Sequence, residues 1–151
     1  MAEQKRKILP LVWLAFALAL AAFLHWYSPL LLLLQPPWNW IGLAPAIFGF
    51  WMMVVSARQF LKVETGLVPF NEATVLVTGG FFRYTRNPMY LGMVLLLGGI
   101  AMLLGSLSPF LPIPFFVLVI QRNFIEGEER FLEDAFGEDY LDYKRKVRRW
   151  L

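Results

Sequence analysis

The sequence predicts an all-α polytopic membrane protein with about four spanning helices, its 151 residues forming one domain. Three observations predict it. The chain is 58% hydrophobic and 17% aromatic, too apolar for a soluble domain of this length. Its apolar residues fall in long runs rather than in the narrow stripes of helices packed on a soluble core. Four spans placed on those runs leave all 14 Lys and Arg on one side, which an odd number of spans would not do.

The first span runs from about Ile8 to Tyr27. Lys5-Arg6-Lys7 ahead of it imitates a secretory leader. The apolar run continues to Tyr27 without a small-residue cleavage site, so a retained helix is expected. Trp26 and Tyr27 end it as an interface belt. Ser28-Pro29, Leu30 to Leu34 and Gln35-Pro36-Pro37 make a broken apolar stretch. It is too short to cross and reads as an interfacial or re-entrant turn. The second span covers about Trp38 to Leu61, and the third about Pro88 to Leu107. The fourth covers about Pro109 to Asn123, with Pro109, Pro112 and Pro114 early, where helical N–H groups lack partners anyway.

The tail from Glu126 to Leu151 places Leu132, Phe136, Tyr140, Tyr143, Val147 and Trp150 at helical spacing among charged residues. That pattern is an amphipathic helix, broken near Gly137, lying on the membrane or folded over the bundle. The positive-inside rule puts both termini in the cytoplasm, and a prokaryotic inner membrane is the expected location. The absence of cysteine excludes disulfides, thiolate metal sites and cysteine nucleophiles. The lone His25, on the side away from the charges, excludes the usual His-rich zinc site, so no metal is expected. The expected partners are the lipid bilayer and a small or lipophilic molecule, not nucleic acid.

Two charged clusters stand out. The first is Gly79 to Gly92, with Arg83, Arg86, Asn87, Pro88 and Tyr90 at the mouth of the third span. Asn87 fits an N-cap and Pro88 the first helical position. Free N–H groups and a partial positive charge begin that helix and, with the arginines, can hold a carboxylate or phosphate. Tyr90 offers a hydroxyl or an aromatic face. The plainer reading is a positive-inside anchor on a capped helix. The second cluster is Arg122 to Arg130, with Glu126, Glu128 and Glu129. Glu126 and Arg130 form an i,i+4 pair, so part of it reads equally as a solvated helix face. Three carboxylates beside lipid headgroups are nonetheless unusual, and a carboxylate there can bind ribose hydroxyls or a cation. Arg122 at the helix end can snorkel. Both clusters fall at one membrane face and read as one site. A proton-coupled exporter needs a carboxylate inside the membrane, and none of the four spans carries one. A non-enzymatic membrane subunit leaves both clusters without a purpose.

The last half of the chain resembles the isoprenylcysteine carboxyl methyltransferase family and its relatives, the phospholipid N-methyltransferases. The resemblance runs through Leu76-Val77-Thr78-Gly79-Gly80-Phe81-Phe82 and Arg86-Asn87-Pro88-Met89-Tyr90-Leu91-Gly92. It resumes at Glu128-Glu129-Arg130-Phe131-Leu132 and closes with Phe136-Gly137-Glu138-Asp139-Tyr140-Leu141-Asp142-Tyr143-Lys144 and Val147-Arg148-Arg149-Trp150. It implies an integral membrane methyltransferase that uses S-adenosylmethionine and releases S-adenosylhomocysteine. By position, Thr74, Val75, Leu76, Val77 and Phe82 would line the cofactor pocket. Arg86, Asn87, Pro88, Met89 and Tyr90 would contact the cofactor. Glu128 would bind a polar end of it, with Glu129 adjacent.

Two positions depart from the family. Its usual His is Asn87 here, which has no titrating base to offer. The arginine that faces the substrate in the prenylcysteine enzymes is Phe124, so Arg122 is the nearest basic candidate for a catalytic role. Membrane sterol reductases share a similar C-terminal half and bind NADPH. They usually carry an acidic residue after Tyr-x-Gly, where this chain has Met93. The expected reaction is methyl transfer to a carboxylate, thiol or amine at the cytoplasmic face. An in-line displacement asks the protein for alignment and exclusion of water.

Overall fold

The computed structural model describes residues 9–62 and 75–151. Six α-helices follow in order: α1 Pro10–Tyr27, α2 Leu43–Lys62, α3 Pro88–Leu104, α4 Pro112–Ile120, α5 Glu126–Phe136 and α6 Glu138–Lys146. No β-strand occurs among the described residues. Pro10, Pro88 and Pro112 each open their helix, where the missing N–H costs nothing. Among the described residues three segments are long and apolar enough to cross a bilayer: Pro10–Tyr27, Trp38–Gln59 and Ser108–Phe136. Pro88–Leu104 is apolar and shorter. Phe16, Phe23, Ile47, Phe50 and Trp51 point outward and exposed, a surface suited to lipid rather than water. This is an integral membrane protein.

The central helix is α3. It buries Tyr90, Met93 and Leu97 against Leu14 and Ala17 of α1 and Phe116 and Ile120 of α4. Its contact with α2 is closer still. A Cβ on Gly49 would lie 2.5 Å from the Gly92 carbonyl oxygen, and one on Gly99 would lie 2.4 Å from the Ala46 nitrogen. Gly42 meets the Gly99 carbonyl in the same way. Apolar side chains gain little by leaving lipid for one another, so helices in a membrane associate through such backbone approach.

Two boundaries differ from expectation. The third span stops at Leu104 because Gly105 takes a left-handed turn, φ 83°. The fourth does not end at Asn123. Gln121–Ile125 forms a π-helical turn, and the helix continues through it into α5. No proline or glycine interrupts it there. Such turns shift the phase of all that follows and are frequent at functional sites. Here Phe124 and Ile125 face the core while Glu128 and Glu129 face a pocket.

The broken stretch 28–37 does not lie alone on the membrane surface. It runs antiparallel to the α3–α4 connection, with a bridge between Leu32 and Ser106. The N–H groups of Leu33 and Leu34 donate to the Gly105 carbonyl at 2.8 and 3.0 Å. Ser108 Oγ donates to Ser28 O at 2.6 Å and accepts from Leu30 N at 2.7 Å. His25 Nδ1 lies 2.8 Å from Ser106 Oγ. Near hydrocarbon, backbone polar groups need protein partners, and these two loops supply one another.

Of the two placements expected for the tail, it takes the folded one. Tyr140, Tyr143 and Val147 close on Phe82, with Leu76, Val77, Leu132 and Phe136 around them. Gly137, φ 52°, makes the turn between α5 and α6 that an L side chain would resist.

Candidate active site

The start of α3 is bound to the end of the chain. Arg86 N–H donates to Arg148 O at 3.0 Å. Thr85 Oγ1 and Asn87 Nδ2 both donate to Arg149 O, at 3.2 and 3.0 Å. Asn87 therefore holds the N-cap position without capping through its side chain. Its amide is committed to the tail.

Arg149 also reaches the second charged cluster. Its Nε and Nη2 donate to the two Glu129 carboxylate oxygens at 3.0 and 2.7 Å, a forked pair. That bond holds the Arg149 guanidinium more firmly protonated than usual, against the opposing effect of burial. Arg86 Nη2 joins the same carboxylate at 3.1 Å. Glu129 is 6% exposed, and its carboxylate holds two guanidiniums at a site that is buried at Arg86 and partly open at Arg149. Tyr90, on the first turn of α3, donates its hydroxyl to Glu128 Oε1 at 2.6 Å.

Arg86, Asn87, Glu128 and Glu129 border a pocket enclosing about 540 Å³, part of it open to solvent. Val75, Leu76, Val77 and Phe82 supply an apolar wall. Arg86 and Asn87 come from the start of α3, and Glu128 and Glu129 from α5. Leu132, Tyr140 and Tyr143 close it from the tail. Tyr143 donates its hydroxyl to Phe82 O at 2.7 Å. Burial pushes the Tyr143 phenol up to about 12, with the nearby Arg86 charge opposing. Burial, then the Glu129 charge, raises Tyr140 as well. Both phenols stay protonated at neutral pH and serve as hydrogen-bonding groups, not bases.

Eight of the residues singled out in the sequence meet here: Val75, Leu76, Val77, Phe82, Arg86, Asn87, Glu128 and Glu129. Tyr90 joins them through Glu128. Pro88 is buried at the first position of α3 and Met89 is half-buried, and neither lines the pocket. Thr74 lies outside the described residues. Arg122 sits exposed on the π-turn and does not line the pocket, because the turn directs Phe124 and Ile125 inward instead. Phe124 is 1% exposed, its ring 6.4 Å from that of Tyr90. Three lining residues, Leu132, Tyr140 and Tyr143, stand in the sequence in the apolar stripe of the tail and in the family motifs, without a site role. Arg149 stands in the sequence only among the one-sided basic residues and in the closing family motif, and no local spacing signals its pairing with a carboxylate twenty residues earlier.

A sequence model of the phospholipid methyltransferase family matches residues 37–139. An uncharacterised protein of Haemophilus influenzae is 44% identical over 63 residues, all of that protein and 42% of this chain. The protein-S-isoprenylcysteine O-methyltransferase of Schizosaccharomyces pombe is 38% identical over 80 residues, 51% of this chain and 33% of the yeast protein. A probable enzyme of the same name from Oryza sativa is 32% identical over 117 residues, covering 72% of this chain and 58% of the plant protein. The structure of a eukaryotic intramembrane Ras methyltransferase, isoprenylcysteine carboxyl methyltransferase, superposes with a TM-score of 0.65 at 21% identity. It covers 93% of this chain and 51% of that one, a likeness of fold. The chain thus spans between a third and three fifths of these named methyltransferases. The family match extends over more than half of the chain and includes both charged clusters: the chain belongs to the phospholipid methyltransferase family.

Proposed function

We propose that this protein transfers the methyl group of S-adenosylmethionine to a lipophilic or small-molecule acceptor at the face of the membrane where the pocket opens. One observation carries the reading. A single pocket joins the start of α3 to the Glu128–Glu129 pair, and it is apolar on one wall and charged on the other. A nucleoside with an amino-acid arm has that same division. Val75, Leu76, Val77 and Phe82 offer an apolar surface to the adenine. Glu128 and Glu129 offer acceptors to hydroxyl or ammonium groups, and Tyr90 fixes the rotamer of Glu128. When bound, the cofactor supplies an electrophilic methyl on a sulfonium. The chain's own part is to orient the two reactants and keep water from them.

Among the described residues the pocket offers no free neutral-pH base. Glu129 is held by two arginines and Glu128 accepts from Tyr90, while Tyr140 and Tyr143 remain protonated. An acceptor that arrives as an anion, a carboxylate or thiolate, needs none. An amine would lose its proton to water. The reading gives Arg122 no part in catalysis. The one-sided basic residues orient the pocket toward the cytoplasm, with both termini there. The test is calorimetric titration of the detergent-purified chain with S-adenosylhomocysteine and, separately, NADPH. Saturable binding of the first alone supports the methyltransferase, whereas binding of NADPH alone replaces it with a reductase.

A further inference from the structure

The helix that carries Glu128 and Glu129 is gripped from outside on both sides of its π-turn. Val147 is extended, and the residues after it cross the start of α3, where Arg86, Thr85 and Asn87 bond their carbonyls. Arg149 forks onto Glu129 beyond the turn. The next residue, Trp150, donates its indole N–H at 3.3 Å to Oε1 of Gln121, the first residue of the turn. Its ring packs against the core that contains Tyr90, Phe124 and Ile125. Two consecutive side chains thus reach both flanks of the turn.

Neither Gln121, Arg149 nor Trp150 lines the pocket. What they hold is the phase of the helix. A π-helical turn takes about one residue more than an α-helical one, so an α-helical path through Gln121–Ile125 would rotate everything after it by about 100°. Glu128 would then swing away from the Tyr90 hydroxyl, which now meets it at 2.6 Å. The turn's own residues include no proline or glycine that would impose it. We propose that the strap Arg148–Trp150 locks α5 in this phase, with Trp150 as a positioning residue that acts on the pocket through Gln121 and Glu128. The effect on ligand binding rests on the methyltransferase reading, whereas the phase does not. Trp150 isolates the effect better than Arg149, because Arg149 also balances the buried charge of Glu129.

The chain has no cysteine, so nitroxide labels on Leu118→Cys and Asp134→Cys stand alone, one on either side of the turn and both exposed. Pulsed electron resonance on the detergent-purified full chain reads the distance between them. Trp150→Ala should shift or broaden that distance while helical content by circular dichroism stays at the wild-type value. In the same variant without labels, calorimetry should find S-adenosylhomocysteine weakened by about tenfold, the value of one displaced hydrogen-bond partner. Trp150→Phe keeps a ring on the core without the N–H and should fall between the two in both readings. It carries the test if Trp150→Ala does not fold. An unchanged distance in a folded variant overturns the proposal whatever the affinity does, and leaves the methyltransferase reading standing. A changed distance with wild-type affinity overturns the positioning role. A wild type that binds no S-adenosylhomocysteine defeats the methyltransferase reading, and the distance still decides the strap.

Discussion

The two ends of this bundle are both rich in polar groups, and they use them oppositely. At the end where α1 meets α2 and α3 meets α4, the polar atoms bond across two loops. Leu33 and Leu34 meet Gly105, Leu30 and Ser28 meet Ser108, His25 meets Ser106, and Asn39 Nδ2 meets Leu103 O at 2.8 Å, with the neutral Asn39 Oδ1 buried there without a partner among the described residues. That end is a closure. The other end gathers Arg86, Arg149, Glu128 and Glu129 beside an open pocket and leaves two guanidinium nitrogens of Arg86 unmatched among the described residues. A fold selected only for stability tends to satisfy its buried donors. The difference teaches that neither polarity nor a lone unmatched atom marks a site, whereas charged groups gathered and left incomplete beside a pocket do.

The largest effect should come from removing what both ends share. Gly99→Leu drives a side chain against the Ala46 backbone, and no rotamer relieves it. It should cost about 3 kcal/mol or more, beyond ordinary overpacking. Both ends should fail together, read as loss of the folded monodisperse species in detergent. The next is confined to the site end. Glu129→Ala strands a buried Arg86 and a partly exposed Arg149. A loss of about 3 kcal/mol is expected on that ground. Thermal unfolding measures it, and ligand binding should vanish as well. A smaller and complementary effect belongs to the closed end. Ser108→Ala removes two hydrogen bonds and should cost about 1–3 kcal/mol of stability. Calorimetry should find ligand affinity unaltered. A changed affinity would mean the two ends are coupled.

The smallest effect is a pH dependence. The Tyr143 phenol is raised from 10.0 to about 12 in the folded chain. A raised group stabilises fully below its unfolded value and loses that contribution as pH rises toward the folded one. Melting temperature should therefore fall between about pH 10 and 12. The fall should be shallower in Tyr143→Phe than in the wild type. Equal slopes would remove Tyr143 from the account.

Much of this was legible in the chain because it rests on local chemistry. Long apolar runs gave the spans, and Pro88 and Gly137 mark a helix start and a break through their own backbone preferences, whereas the stop at Gly105 was read through. Both halves of the pocket were visible as charged clusters that a lipid-facing helix does not need. What stayed hidden depends on register between distant segments. Gly42 and Gly49 carry no sign that they face Gly99 and Gly92. The stretch 28–37 looks like an interfacial turn until the α3–α4 connection lies alongside it. Arg122 drew attention by standing next to the glutamates in sequence, but the π-turn points it outward. Arg149, far along the tail, does the work of holding Glu129.

The central claim is that the incomplete end is built for a ligand and the closed end is not. The most direct test is the shift in melting temperature produced by saturating S-adenosylhomocysteine in three proteins: wild type, Ser108→Ala and Glu128→Gln. At a hundredfold excess over Kd, binding adds about 2.7 kcal/mol to stability. The account predicts the same upward shift in wild type and Ser108→Ala and a clearly smaller one in Glu128→Gln. Equal shifts in all three, or none in the wild type, would contradict it.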